Sequence, residues 1–236
     1  MSPDPRRNVL LGLLPDDEYR RLEALLEVVT LDVRDQQYEA GKPIENVWFP
    51  IDAVASVIAT IDGEAGIEVA TVGFEGMVGL PVFLGTAESP HDCFCQVAGT
   101  AARLATGDLQ RFLSRDGGLH DLLHRYTQAT IVQLSQNVAC NRLHSTEERC
   151  ARWLLQTRDR VGAEEFSLTQ EFLAQMLGVR RGTVSLTAGV LQQAGVIRYT
   201  RGRITVLDAD ALHAAACECY DIVQAEHRRL TAAPEA

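Results

Sequence analysis

Carboxylates are missing from one long stretch of this chain. Between Phe172 and Leu207, a window of 36 residues, there is no Asp or Glu, although the protein holds 32 of them and a formal net charge of −10. Lysine is almost absent too: Lys42 is the single one, so the basic side chains of that window are all arginines, Arg180, Arg181, Arg198, Arg201 and Arg203. An acidic surface overall argues against a non-specific nucleic-acid coat and suits a protein with one focused basic patch. Clearing carboxylates from a surface removes repulsion toward phosphates, and arginine is the better bidentate partner of phosphate and guanine. No apolar run approaches the length that crosses a membrane. Arg6-Arg7 precedes a short apolar stretch that stops at Pro15-Asp16-Asp17-Glu18, too short for the core of a secretion signal, so the expected location is the cytoplasm. There is no His-x-His metal cluster, nucleophile elbow, phosphate loop or paired-carboxylate motif, which leaves an enzyme reading, such as a cupin-like barrel, without chemistry. The six cysteines (Cys93, Cys95, Cys140, Cys150, Cys217, Cys219) fall in no zinc-type CxxC spacing. They read as buried reduced thiols, with no metal site and no cofactor expected. Cys217 and Cys219 fall in an expected helix, where residues two apart point away from each other.

What is present divides the chain. Charge is uneven: residues 1–145 hold 11 basic and 20 acidic side chains, net −9, and residues 146–236 hold 11 and 12, net −1. A helix opens at Pro15-Asp16 and carries Tyr19, Leu22, Leu25 and Leu26. Short β-type runs follow at Val47–Phe49, Val54–Ile61, Ile67–Val72 and Cys93–Ala98, with the turn cluster Asp62–Gly66 suited to a hairpin. Such spacing implies a compact barrel or jelly roll. From Leu119 to Leu143 there is no Pro or Gly, and Leu119, Leu122, Leu123, Tyr126, Ile131, Leu134, Val138 and Leu143 cover more than one helical stripe. That excess suits a helix packed both on its own barrel and on a partner. A second helix runs from Glu147 to Arg160 and stops at Val161-Gly162.

The acid-free window carries a helix-turn-helix spacing: Gln170-Glu171-Phe172-Leu173-Ala174-Gln175-Met176-Leu177-Gly178-Val179, then Arg180-Arg181-Gly182-Thr183-Val184-Ser185. Ala174 allows a close helix crossing, Gly178 supplies the turn, and Leu173, Leu177, Val179 and Val184 fill the space between. Beyond Gly195-Val196-Ile197, two β-type runs around Thr200-Arg201-Gly202-Arg203 make a hairpin, the wing of a winged helix, and a last helix spans Asp210 to Leu230.

This order, together with the run from Leu168 to Ser185 and Leu191-Gln192-Gln193-Ala194-Gly195-Val196-Ile197, resembles the Crp/Fnr superfamily of bacterial transcription regulators. Weaker similarity covers residues 30–115. The resemblance implies an α+β fold: a cyclic-nucleotide-binding-like β-roll at residues 1–116, a dimerisation helix at 117–145, and a winged helix-turn-helix at 146–236. It implies a homodimer on a palindromic operator in double-stranded DNA, RNA polymerase as a partner, and a small-molecule effector of unknown identity. By position, Arg180, Arg181 and Ser185 are candidates for base edges, and Thr169, Thr183, Arg201 and Arg203 for phosphates. The chain departs from the family in that Gly182 and Leu186 replace base-reading residues, Arg180 replaces a Ser-type cap, and Thr187 stands where an aliphatic residue is common. In the β-roll, Gly79 is followed by Leu80 rather than Glu, and Asp92 stands where the cyclic phosphate would need a cation. Cyclic AMP or cyclic GMP is therefore not expected as the effector. Redox or metal sensing through Cys93 and Cys95 is a competing role within the same architecture.

Overall fold

The computed structural model describes residues 3–60, 66–113 and 117–231. The expected hairpin turn at Asp62–Gly66 lies outside the described residues except for Gly66. Asn8 starts the chain's first α-helix, α1 (Val9–Gly12): its side-chain oxygen accepts from the Leu10 and Leu11 N–H groups at 3.1 and 3.3 Å. Its amide donates to the Pro50 and Gly76 carbonyls, both at 2.9 Å, so this fully buried polar residue is satisfied and pins the N-terminus to the β domain. Helix α2 (Asp16–Glu23) has acids in its first turn and arginines in its last, matching the helix dipole, and buries Tyr19 and Leu22. It ends before Leu25 and Leu26, and Leu25 is exposed, a shorter helix than the apolar spacing predicts.

Among the described residues seven strands make the β domain: β1 (Glu27–Leu31), β2 (Gln36–Tyr38), β3 (Asn46–Pro50), β4 (Val54–Ala59), β5 (Ile67–Val72), β6 (Asp92–Val97) and β7 (Gly99–Ala105). They pair antiparallel in two sheets, β1-β7-β3 and β2-β6-β4-β5, whose inner residues share one core, among them Phe49, Ala102, Ala55 and Cys93. Strands β1, β2 and β7 are not among the runs read from sequence. Helices α3 (Leu80–Phe83) and α4 (Thr106–Phe112) close the ends.

Helix α5 (Gly118–Leu143) is 26 residues long, about 39 Å at 1.5 Å per residue. The Glu18 carboxylate accepts its first N–H groups, from Gly118 at 2.9 Å and Leu119 at 3.1 Å. Its first half buries Leu119, Leu122, Leu123, Tyr126 and Ala129 in the β-domain core. Tyr126 lies so close that a Cβ on Gly76 would sit 2.3 Å from its hydroxyl. Farther along, Gln133 and Asn137 donate to the β5 carbonyls of Thr71 and Val69, at 3.2 and 2.8 Å, while Ile131, Leu134, Val138 and Leu143 stay exposed.

After α5 come α6 (Thr146–Val161), β8 (Glu165–Ser167), α7 (Gln170–Leu177), α8 (Arg181–Gln193), β9 (Ile197–Thr200), β10 (Arg203–Val206), α9 (Ala209–Ala215) and α10 (Cys219–Thr231). A capping box at Ser145 and Glu148 starts α6, and left-handed Gly162 (φ 68°) ends it. The single helix expected over Asp210–Leu230 is two. Ala216 is extended (φ −82°, ψ 155°), with no Gly or Pro to mark the break. Beyond the break, Cys217 and Cys219 converge on buried Cys140 of α5; the expectation that the two thiols point apart is wrong.

Candidate nucleic-acid interface

Local chemistry builds the helix-turn-helix. The Thr169 hydroxyl accepts from the Phe172 N–H at 3.1 Å and caps α7. Gly178, at φ 63°, closes the turn in a conformation that side chains with a Cβ rarely adopt. Leu173, Leu177 and Val184 are buried between α7 and α8, with Val179 packed against them. Helix α8 starts at the extended Arg180, which offers no side-chain cap, and no carboxylate occupies its first turn. Its buried side is Val184, Thr187, Ala188 and Leu191, so Thr187 does fill the place of a core residue.

The wing is a three-stranded sheet in the order β8-β10-β9, not the two-stranded hairpin read from sequence. Arg201 and Gly202 form its two-residue tip, both with positive φ (50° and 79°), between the paired residues Thr200 and Arg203. The Gly202 carbonyl accepts from the Leu168 N–H at 2.7 Å, and the Tyr199 N–H donates to Gln192 Oε1 at 2.7 Å. These bonds fix the wing against the start of α7 and the end of α8. Burial pushes the Tyr199 phenol up to about 12, and its hydroxyl donates to the Leu168 carbonyl at 2.9 Å.

Of the candidate residues, Arg181, Ser185, Thr169 and Arg201 meet along one groove of about 530 Å³, together with Gln170 and Gln192. Arg180 is exposed at the start of α8 and Thr183 is half-buried one turn on. Three candidates are already engaged. Thr169 is the cap, Ser185 Oγ donates to Gln170 Oε1 at 2.7 Å, and Arg203 pairs with Glu165 at 2.8 Å. Glu165 and Glu171 lie just outside the acid-free window, yet β8–β10 pairing and the start of α7 bring both to this surface. Gln170, Gly189 and Gln192 also line the groove and were not singled out in the sequence, although residues 181, 185, 189 and 192 follow the spacing of one helix face.

In the β domain, Asp92 Oδ1 accepts from the Ala40 N–H at 2.9 Å and from Gln36 at 3.4 Å, tied into the protein's own backbone. Gly79 is left-handed (φ 97°) before Leu80, and a Cβ there would sit 2.8 Å from Val47. Cys93 and Cys95 are completely buried in the core. Burial pushes both thiols up, Cys95 to about 12, which opposes the thiolate a sensor would use. Among the described residues no helix is long and apolar enough to cross a membrane.

Residues 148–215 match the Crp-like helix-turn-helix domain. No curated protein sequence matches the chain. Its fold is similar to that of FixK2 from Bradyrhizobium japonicum, at 15% identity over 81% of this chain and 98% of that one, TM-score 0.69. A Crp/Fnr-family regulator from Eubacterium rectale is similar at 14% identity over 87% and 96% of the two chains, TM-score 0.67. The regulator CLP of Xanthomonas campestris, described as c-di-GMP responsive, aligns at 14% identity over 81% and 99%, TM-score 0.64. Residues 148–215 thus carry a Crp-like helix-turn-helix domain, and the overall fold is similar to that of Crp/Fnr-family regulators.

Proposed function

We propose that the protein is a sequence-specific transcription regulator that binds a palindromic operator as a homodimer in the cytoplasm, with RNA polymerase as its downstream partner. The observation that carries this reading is the groove in which Arg181, the first residue of α8, stands exposed beside wing residue Arg201, with no carboxylate in the first turn of α8. The N-terminal residues of such a helix meet base edges in the major groove, while wing cations meet phosphates. Dimerisation is supported by Ile131, Leu134 and Val138 of α5, spaced three and four residues apart and 52%, 37% and 72% exposed. A second copy would cover that stripe, and two-fold symmetry would set the half-sites about one helical turn, roughly 34 Å, apart. Neither cyclic AMP nor cyclic GMP is the effector, because Asp92 and Leu80 replace the ligands those nucleotides need; regulation acts through another small molecule or through protein abundance, and microcalorimetry detecting either nucleotide at micromolar affinity overturns this.

Selection from a random DNA pool supplies the operator, and gel-shift titration tests the roles. Arg181→Ala is expected to weaken binding by about 1–3 kcal/mol per half-site and to relax preference at one base position. Arg203→Ala acts evenly across sequences and lowers the salt slope by about one unit for each phosphate the arginine neutralises. Wild-type affinity of Arg181→Ala for every operator variant would remove α8 from base reading.

A further inference from the structure

A cluster of metal-competent side chains lies away from the groove, where α5 ends. Cys140 and His144 stand four residues apart at the C-terminus of α5, and Cys219 opens α10 with Cys217 two residues before it. Their Sγ and ring-nitrogen donor atoms all lie within 4.8 Å of one another. Cys140 Sγ is 3.5 Å from Cys217 Sγ, and Cys219 Sγ is 3.5 Å from His144 Nδ1. A tetrahedral zinc with bonds of about 2.3 Å to sulfur and 2.0 Å to nitrogen needs donor pairs about 3.5–3.8 Å apart. The broken C-terminal helix is what makes the set: a continuous helix would send Cys217 and Cys219 in different directions.

Three further observations point the same way. First, Cys140, Cys217 and Cys219 form a buried cluster of their own, joined to neither large apolar core, whereas Cys93, Cys95 and Cys150 sit inside those cores as ordinary small hydrophobes. Second, the Glu218 carboxylate lies 3.2 Å from His144 Nε2. A proton held there leaves Nδ1 free as a ligand and fixes the ring, the arrangement that orients metal-bound histidines. Third, Arg149 and Arg152 stand beside the sulfurs, and each has an Nε buried without a hydrogen-bond partner. Three thiolates, one divalent ion and the Glu218 carboxylate carry −2, which these two cations balance. Zinc takes cysteine as thiolate, so binding displaces the thiol protons.

We propose that Cys140, His144, Cys217 and Cys219 hold one zinc ion in a closed tetrahedral site that clamps the start of α10 to the end of α5. Four protein ligands in a buried site leave no open position, so the ion is structural rather than catalytic. A polynuclear iron–sulfur cluster spreads its ligands over separate irons and would splay these donors apart. The proposal does not depend on the DNA-binding reading.

The test uses the full-length chain, purified under reducing, anaerobic conditions. Elemental analysis is expected to give one zinc per chain, and the chelated protein to take up one cobalt(II) with the visible bands of tetrahedral thiolate coordination. Cys219→Ser and His144→Ala are expected to lose metal, Glu218→Gln to bind cobalt about 10- to 100-fold more weakly, and Cys150→Ser to keep a full equivalent. If the ligand variants do not fold, cobalt titration of the wild-type chain decides by itself. Iron with labile sulfide, a Cys140–Cys217 disulfide in place of metal, reduced protein that takes up no cobalt, or full metal in Cys219→Ser and His144→Ala each overturns the proposal.

Discussion

Helix α6 has two buried faces that are built differently. One presents Cys150, Ala151, Leu154 and Leu155 to the core of the winged helix, with Phe166, Leu173, Val184 and Leu212 in the same cluster. The other meets the β domain and α5 through a set of polar groups: Arg152 donates to Asn137 at 2.9 Å, Trp153 to Glu68 at 2.8 Å, and Arg160 to Glu75 at 2.7 Å and Thr71 at 2.8 Å. An apolar face tolerates small shifts, because burial is non-directional. A hydrogen-bonded ionic face holds one arrangement, and its strength depends on the charge state of each group. The winged helix is thus held together by apolar burial and oriented on the β domain by buried polar groups, with Ile58 and Phe94 adding apolar contact across the seam.

The largest effect should come from the ionic face. Burial pushes the Glu75 carboxyl up, but Arg160, helped by His227, outweighs it and holds the group below the usual carboxylate range. Arg160→Ala leaves that charge unpaired and should cost about 3–5 kcal/mol in urea unfolding. The double change Arg160→Met, Glu75→Leu should recover most of the loss; if it unfolds as readily as the single variant, charge is not what the face depends on. On the apolar face, Leu154→Ala should cost ~3 kcal/mol, the same at pH 5 and pH 8.

Glu68 sharpens the contrast. Burial pushes its carboxyl up to about 7 from the usual 4.5. Ser56 Oγ lies 2.6 Å from Glu68 Oε2 and 2.5 Å from Gln96 Oε1, and its single proton cannot serve two acceptors. A protonated Glu68 completes the chain by donating to Ser56. The folded state therefore holds a proton that the unfolded state releases, so stability falls as pH rises from about 4.5 to 7. Glu68→Gln should stabilise the protein at pH 8 by on the order of 1–3 kcal/mol, shrinking toward zero below pH 4.5. A gain independent of pH would assign the effect to packing. The smallest effect is at the joint itself, where Ser145→Ala removes the α6 capping box and should cost ~1 kcal/mol in thermal melts at neutral pH, less as pH falls and Glu148, whose carboxyl the Ser145 contacts hold below its usual range, takes up a proton.

Features that depend on neighbours in sequence were legible. Gly178, Ala174 and the spacing of Leu173, Leu177 and Val184 act within one turn-and-crossing, and the helix from Leu119 to Leu143 is one uninterrupted pattern. Features that depend on distant pairing were not. Strand β1 is mostly half-buried or exposed and β7 is rich in alanine, so neither carries an alternating signature; each exists because the other pairs with it. The acid-free window read as a surface without carboxylates, but Glu165 returns through its strand and pairs with Arg203. The two metal-competent donors on α5 are separated in sequence from Cys217 and Cys219 by most of the winged helix, and the helix break that gathers all four has no glycine or proline to announce it.

At the apex of the wing, a two-residue hairpin loop with both φ angles positive favours Asn-Gly or Gly-Gly, and the first place is held by Arg201. A left-handed arginine costs about 1–2 kcal/mol against a relaxed backbone. The hairpin therefore works against its own intrinsic preference at the position that carries the outermost guanidinium. Substituting glycine there would loosen nothing in the fold and would make the loop easier to form, while removing the charge from its tip. Stability and charge presentation are opposed at this one residue, and a selection for thermal resistance alone would drift away from arginine.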